Sequence, residues 1–462
     1  MDFSRRLKQL ANQLLAVISS RRFLYFTFGW FILSATVIAA TTRFGLPPDE
    51  TYHYNFIQLF AGNGWLPGLA DQDGYYLLGE AVKTPFFLYH YLLSLPTHLF
   101  NLTGYDIYLL RLVNVVFGIL TLLVVYKIAR LLKLSKFVTN LSLFMLANTL
   151  MFVFINSAIN YDSLFNLLSL TAIWLLMKSL AKPSWLISLS LAASLLAGLL
   201  VKKNFIVVAA AVALVLIFKL VPDWRSKLKL KMPQLSWRLG SLAALVAVLA
   251  VLVGQHYGGN LASYKSYEPR CDQVLALEQC RQSRLFVRQE QLDNMARPAA
   301  TKGAVEYSVD WLGLMGERTY GVFGHSSFRP NSIIFILIEL ILTVGAAAVI
   351  RAYHRRAGPI NLLLVIGLAY LAALIFENHL RYEKYGSFSF AVQGRYALVS
   401  LALFYLVMVY YFSQAVRNKV ALALSATAVI VVLFISSLPA YVIQTNADWR
   451  NRLTNRLIDK IR

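Results

Sequence analysis

Eleven apolar stretches, most of about 17 to 21 residues, recur along this chain of 462. That is the length at which a helix crosses ~30 Å of hydrocarbon. A chain with this pattern has few ways to fold, because in lipid each backbone N–H and C=O must find its partner inside a helix or a closed barrel. The stretches are Phe23–Thr41, Ile107–Tyr126, Phe137–Asn156, Leu164–Met177, Trp185–Val201, Phe205–Leu220, Leu239–Gly254, Ser332–Ile350, Pro359–Phe376, Tyr396–Phe412 and Val420–Pro439. Only 14% of the residues are charged, against roughly 25% in soluble chains. The expected fold class is therefore an all-α polytopic membrane protein, with residues 1–462 as a single integral membrane domain. The first stretch is too long, and lacks the small-residue cleavage site, for a removable signal peptide.

The net charge of +22 would suggest nucleic acid in a soluble chain. Here its distribution reads as topology instead. With the N-terminus in the cytoplasm, the inner segments hold 22 of the 44 Lys and Arg residues, against only Asp2 and Asp223 of opposite sign. The first outer segment, 42–106, holds two basic residues and six acidic ones. This is the asymmetry that the positive-inside rule describes. The basic charge is scattered over short loops with no module that reads nucleic acid, so no nucleic-acid partner is expected. On this map the run Phe86–Phe100 cannot cross, since that would invert every later loop; it reads as a re-entrant or interfacial helix. The C-terminal tail, with five basic residues, falls on the outer side, against the rule.

Three outer segments, 42–106, 255–331 and 377–395, are long enough to form a cap over an active site. The inner loops are short, apart from 222–238, whose Lys227-x-Lys229-x-Lys231 run suits anionic headgroups. Cys271 and Cys280, nine residues apart on the outer side, read as a local disulfide in an oxidising compartment, the alternative being two free thiols. No internal repeat of the transporter kind is present.

The residues with chemistry to offer lie near the outer ends of the spans. In Pro47-Pro48-Asp49-Glu50-Thr51-Tyr52-His53, two prolines fix the chain's exit and Asp49 opens an amphipathic stretch. Two readings of Asp49 are open: an N-cap followed by a first-turn acid, Glu50, or a general base at the membrane surface. Asp49 and His53, four apart, can also share a divalent metal with a third ligand. Lys83 reads as a snorkelling interfacial lysine or as an anion ligand. Lys202 and Lys203 occupy a short outer turn where positive charge is disfavoured, so they want a phosphate or the outer carboxylates as partners. Asp162 reads as an N-cap or a site residue. Arg395 in Gln393-Gly394-Arg395-Tyr396 reads as an interface anchor with Tyr396 or as a fork for a phosphate. Arg111 opposes the dipole of its helix and needs a partner. Glu339 lies mid-span, where it either ties helices together in protonated form or lines a cavity. Asp71-Gln72-Asp73 fits a nucleotide-sugar DxD, but lies on a face where nucleotide sugars are absent.

Taken together, the first-loop carboxylates, the interfacial helix after them, the Lys83-Thr84-Pro85 element and the short re-entrant helix resemble the GT-C superfamily of membrane glycosyltransferases. The chain is more closely similar to a bacterial group of that superfamily. That group carries Pro-Asp-Glu-x-x-His (Pro48 to His53), Gly-x-Phe-Gly (Gly321 to Gly324) and Gln-Gly-Arg-Tyr (Gln393 to Tyr396) elements in this order. The resemblance implies an enzyme of the bacterial inner membrane that takes a sugar from a polyprenyl-phosphate donor on the outer face. The acceptor would be a glycan, lipid or protein, and membrane lipids would surround the site. It carries Asp49 over as the base and Lys83 and Arg395 as phosphate ligands. Glu50, His53, Arg111, Asp162, Lys202, Lys203 and Tyr396 are the remaining candidates for substrate binding. A monophosphate leaving group needs less help from a metal than a diphosphate, so no obligatory metal cofactor is expected. Two other readings compete: a transporter or flippase of lipid-linked sugar, indifferent to loss of Asp49, and a surface-polysaccharide polymerase or ligase with a diphosphate-linked donor.

Overall fold

The computed structural model describes residues 2–62, 87–100, 106–220, 236–294, 301–321, 331–353, 358–388 and 392–445. All the regular secondary structure among them is helical, and no β-strand is present in the described residues. Eight helices are long and apolar enough to cross a membrane: Arg21–Thr41, Asp106–Leu131, Asp162–Ala181, Trp237–Tyr264, Ser332–Tyr353, Pro359–Tyr385, Gly394–Ala415 and Lys419–Gln444. Three shorter apolar helices, Lys136–Ala147, Trp185–Leu199 and Phe205–Phe218, complete the set. The chain is a multi-pass integral membrane protein. Ten of the eleven expected stretches fall on one of these helices each, and 137–156 is the exception.

Local chemistry places the helix starts. Ser20, Ser135, Ser184 and Ser236 each accept a hydrogen bond from the backbone N–H three residues on, and Asn418 accepts from Val420 and Ala421. These are side-chain N-caps, each satisfying an otherwise orphaned donor. All five lie at the end of the bundle where the basic loops gather.

The stretch 137–156 breaks where a single span was expected. Its first helix stops at Ala147, and a short one, Leu150–Ile155, follows. Asn148 donates from its side chain to Phe144 O at 2.9 Å and accepts from Trp30 Nε1 at 2.9 Å. Thr149 pairs with Met145 O at 2.9 Å and Tyr405 Oη at 2.8 Å. Short polar side chains here compete with the helical ladder, and two neighbouring helices supply the partners.

Other elements lie off the spans. Leu88–Phe100, with Pro96 inside it, has 13 residues, too few to cross, and packs on Glu50–Gly62. An amphipathic helix, Asp2–Ile18, packs against Lys419–Ser436. The Trp237 helix continues through a π-helical turn, Gly254–Gly258, to Tyr264, ten residues past its expected end. The outer segment after it folds into short helices around a small core of Cys271, Cys280 and Phe286. Tyr257 Oη donates to Leu199 O at 3.0 Å, Lys384 pairs with Asp293 at 3.0 Å, and Gln289 donates to Tyr385 Oη at 2.7 Å. The segment is thereby fastened to the outer ends of two membrane helices.

Glu339 departs from both expectations. It points outward on the Ser332–Tyr353 helix and ties no helices together among the described residues. Lys83, Asp71-Gln72-Asp73, the Lys227–Lys231 run and Val322–Gly324 lie outside the described residues.

Cys271 and Cys280 form the disulfide, with Cα atoms 5.7 Å apart. Intact protein should therefore resist thiol alkylation until it is reduced. Replacing both cysteines with serine should lower the stability of the outer segment by about 2–3 kcal/mol, the loop-entropy value for a bridge this short. Mass spectrometry after alkylation and limited proteolysis of residues 255–294 would read the two effects.

Candidate active site

The first outer loop is anchored before it offers anything to a substrate. Glu50, at the start of the Glu50–Gly62 helix, is fully buried, as is Arg111 one turn into the Asp106–Leu131 helix. The guanidinium forks onto the carboxylate, with Nε to Oε1 and Nη2 to Oε2 both at 2.8 Å. Its remaining nitrogen, Nη1, donates to Ala39 O at 2.7 Å and Thr42 O at 2.8 Å, at the exit of the first span. Glu50 also accepts from Gly45 N at 3.0 Å and Ile159 N at 3.2 Å. Arg111 thus has the partner that its position demanded. Neither residue faces outward, so the geometry makes both of them positioning groups rather than substrate ligands.

Asp49, next to this pair, is left half exposed. Its backbone sits in the left-handed region at φ 61°, a conformation that Asp tolerates better than most residues. Its carbonyl accepts from His53 N at 3.0 Å, as at a helix start. Its carboxylate meets Arg395 Nη2 at 2.5 Å. The Asp49 side chain is 46% exposed, while that of Arg395 is 1% exposed.

Arg395 reaches this point because Gly394 lets the backbone in. A Cβ on Gly394 would lie 2.2 Å from Arg318 O and 2.5 Å from Thr319 N. The short 3₁₀ turn Gly394–Ala397 therefore packs directly on the Ala304–Tyr320 helix. On its other side, Arg395 Nε lies 3.2 Å from Asp162 Oδ2. Asp162 Oδ1 in turn holds Lys202 Nζ at 2.6 Å. The Lys202 ammonium lies over the rings of Tyr396 at 4.2 Å, Tyr161 at 4.6 Å and Phe165 at 5.5 Å. Asp49, Arg395, Asp162 and Lys202 thus form a row of alternating charge, mostly buried, with Asp49 at its exposed end. Asp162 follows its helix's N-cap, Tyr161, and its side chain serves the site.

His53 is buried behind this row. Its Nδ1 lies 3.0 Å from His90 Nε2, its ring is edge-on to Tyr161 at 4.4 Å, and its Nε2 has no hydrogen-bond partner. Burial first, then His90, Arg395 and Lys202, holds the imidazole well below its usual 6.5. Lys203 turns the other way, pairing with Glu268 of the outer segment at 2.5 Å. Of the expected site residues, Asp49, His53, Asp162, Lys202, Arg395 and Tyr396 come together. Tyr161, Phe165 and His90 were missed. Tyr161 was signalled by its place beside Asp162, and His90 by being a polar residue in an apolar helix.

Among the described residues, no three His, Cys, Asp or Glu side chains are placed to hold a metal ion. Asp49 faces Arg395, and Asp162 faces both Arg395 and Lys202.

Residues 83–253 match the family of dolichyl-phosphate-mannose-protein mannosyltransferases. The fold as a whole is similar to an archaeal oligosaccharyltransferase from Archaeoglobus fulgidus, in complex with an inhibitory peptide and a dolichol-phosphate. That likeness has a TM-score of 0.50 at 15% identity, over 90% of this chain and 56% of that one. The Archaeoglobus fulgidus oligosaccharyltransferase in complex with Zn and sulfate gives a TM-score of 0.49 at 15% identity, over 89% of this chain and 52% of that one. The chain thus spans little more than half the length of either oligosaccharyltransferase. No curated protein sequence matches it. The family match includes Arg111, Asp162 and Lys202, and leaves out Asp49 and Arg395.

Two outcomes follow from this geometry. Glu50→Gln leaves Arg111 buried without its counter-charge, so stability should fall by about 3–5 kcal/mol, read as a large drop in thermal midpoint. His53 binds its proton less readily when folded than when unfolded, so stability is complete above about pH 6.5 and is lost as pH falls. Wild-type protein should lose thermal midpoint as pH falls below about 6.5, and His53→Gln should flatten that slope.

Proposed function

We propose that this chain transfers a sugar from a polyprenyl-phosphate carrier to an acceptor hydroxyl at the outer face of the bacterial inner membrane. The observation that carries the reading is the half-exposed Asp49 carboxylate, held at a span exit by a guanidinium that is itself buried. The match to dolichyl-phosphate-mannose-protein mannosyltransferases supports a lipid monophosphate donor. The dolichol-phosphate bound to the Archaeoglobus oligosaccharyltransferase supports a lipid phosphate as the group to be recognised. The basic inner loops support the outer face, since the site lies at the opposite end of the bundle.

The chemistry follows from the row of charges. An acceptor hydroxyl, with a pKa near 15, is a poor nucleophile until a positioned carboxylate begins to take its proton. Asp49 takes that proton as the acceptor oxygen bonds to the anomeric carbon. The bond from that carbon to the phosphate oxygen breaks, and its electron pair stays on the lipid phosphate, which gains one negative charge. Arg395 and Lys202 stabilise that charge, with Lys83 as a further ligand. Donor phosphate and Asp49 compete for Arg395. As the guanidinium turns to the phosphate, the carboxylate is released to act as a base. His53, with Nε2 unpartnered, is available to hold a substrate hydroxyl. Glu50 and Arg111 keep the loop in place throughout.

Asp49→Asn keeps the shape of the side chain and its capping oxygen. It should lower kcat by roughly 10²–10⁴-fold with donor binding largely retained. Lys83→Ala and Arg395→Lys should instead weaken donor binding, by about 1.5–3 kcal/mol for a lost charged hydrogen bond. The assay is transfer of labelled sugar from polyprenyl phosphate in proteoliposomes. Wild-type turnover by a folded Asp49→Asn protein would remove the base and favour movement of lipid-linked sugar without transfer.

A further inference from the structure

The Ser332–Tyr353 helix holds a charged residue well inside a spanning segment. Glu339 lies seven residues from the helix start, so roughly 10 Å along its axis. It is exposed on the surface of the bundle and has no hydrogen-bond or ion-pair partner among the described residues. A carboxyl facing hydrocarbon is costly in either protonation state, and such residues usually face protein. The other mid-span charge at the site end, Arg111, is paired and buried.

The surface around Glu339 is shaped for a helix. Ile336, Leu340, Thr343, Ala347 and Ile350 are all exposed, and their spacing of four, three, four and three is that of two helices crossing at a shallow angle. Thr343, Ala346 and Ala347 are small, which lets backbones approach closely in a membrane. Next to this strip lies a groove of about 200 Å³, lined by Leu340, Val344, Gly345, Met408, Phe412 and Val429. It opens between the Ser332–Tyr353, Leu398–Ala415 and Lys419–Ser436 helices.

We propose that this face docks a second copy of the chain, with Glu339 protonated and hydrogen-bonded to the same helix of that copy. The choice of a second copy rests on complementarity. A protonated carboxyl and a threonine hydroxyl each donate and accept. A strip that carries both, Glu339 and Thr343 one turn apart, is therefore complementary to itself across a two-fold axis. An ionic partner would require an exposed mid-span cation, and no spanning helix offers one among the described residues. The proposal is independent of the sugar-transfer reading, since this face lies outside the row of charges.

Both native cysteines are in the disulfide, so one introduced thiol reports cleanly. Thr343→Cys in proteoliposomes, exposed to a membrane-permeant oxidant, should form a crosslinked dimer on denaturing gels. Leu214→Cys, on an exposed face of the Phe205–Leu220 helix, should remain monomeric. Adding Glu339→Leu to Thr343→Cys should abolish the dimer band, while Glu339→Gln, which still donates and accepts, should retain it. A monomeric Thr343→Cys, a crosslink to some other protein, or a dimer band equally strong with Glu339→Leu or Leu214→Cys would overturn the proposal.

Discussion

The outer end of this protein depends on the buried fork between Arg111 and Glu50. One guanidinium and one carboxylate, both fully buried, collect the exit of the first span, the first outer loop, the second long span and the turn before Asp162. Every polar atom of the pair has a partner, which makes an ion pair tolerable in a low-dielectric interior. The two carboxylates of the Pro-Asp-Glu element thereby take opposite parts. Glu50 turns inward and locks the loop, so Asp49, one residue earlier and in a left-handed conformation, is turned out toward solvent.

With the loop held, the site becomes a problem of shared cations. Arg395 stands between Asp49 and Asp162, and Lys202 stands on Asp162 among three aromatic rings. Two positive and two negative groups leave the row near neutrality, and both cations are already oriented and desolvated. Such pre-organised charge is worth more to a developing anion than mobile surface lysines would be. Gly394 makes the arrangement possible, since any side chain there would lift Arg395 off the Ala304–Tyr320 helix. The Gln-Gly-Arg-Tyr element is thus a packing device and a charge device at once.

The outer segment between Gly254 and Asn294 is held differently. Its ties to the bundle are surface ion pairs and single hydrogen bonds, Lys203 to Glu268, Lys384 to Asp293 and Tyr257 to Leu199. Exposed pairs of this kind contribute only ~0–1 kcal/mol each. The disulfide supplies internal rigidity that its three-residue core cannot. The segment is thus stiff in itself but weakly tied to the bundle.

Much of this was local and so legible in the sequence. Hydrophobic run length placed the eight long apolar helices and three shorter ones, apart from the break after Ala147, and nine-residue spacing paired the cysteines. The motif Pro48-Asp49-Glu50 marked the candidate site, and the position of Arg111 demanded a partner, which Glu50 supplies. What only the tertiary structure decided was which charge meets which. Glu50 and Arg111 are 61 residues apart, Asp49 and Arg395 are 346 apart, and Asp162 and Lys202 are 40 apart. Helical periodicity acts over a few residues, whereas these pairs depend on which helices pack side by side. For the same reason, the sequence placed Lys202 and Lys203 together while the fold sends one into the site and the other to Glu268. It likewise showed Glu339 to be mid-span, and packing turned that carboxyl away from the bundle.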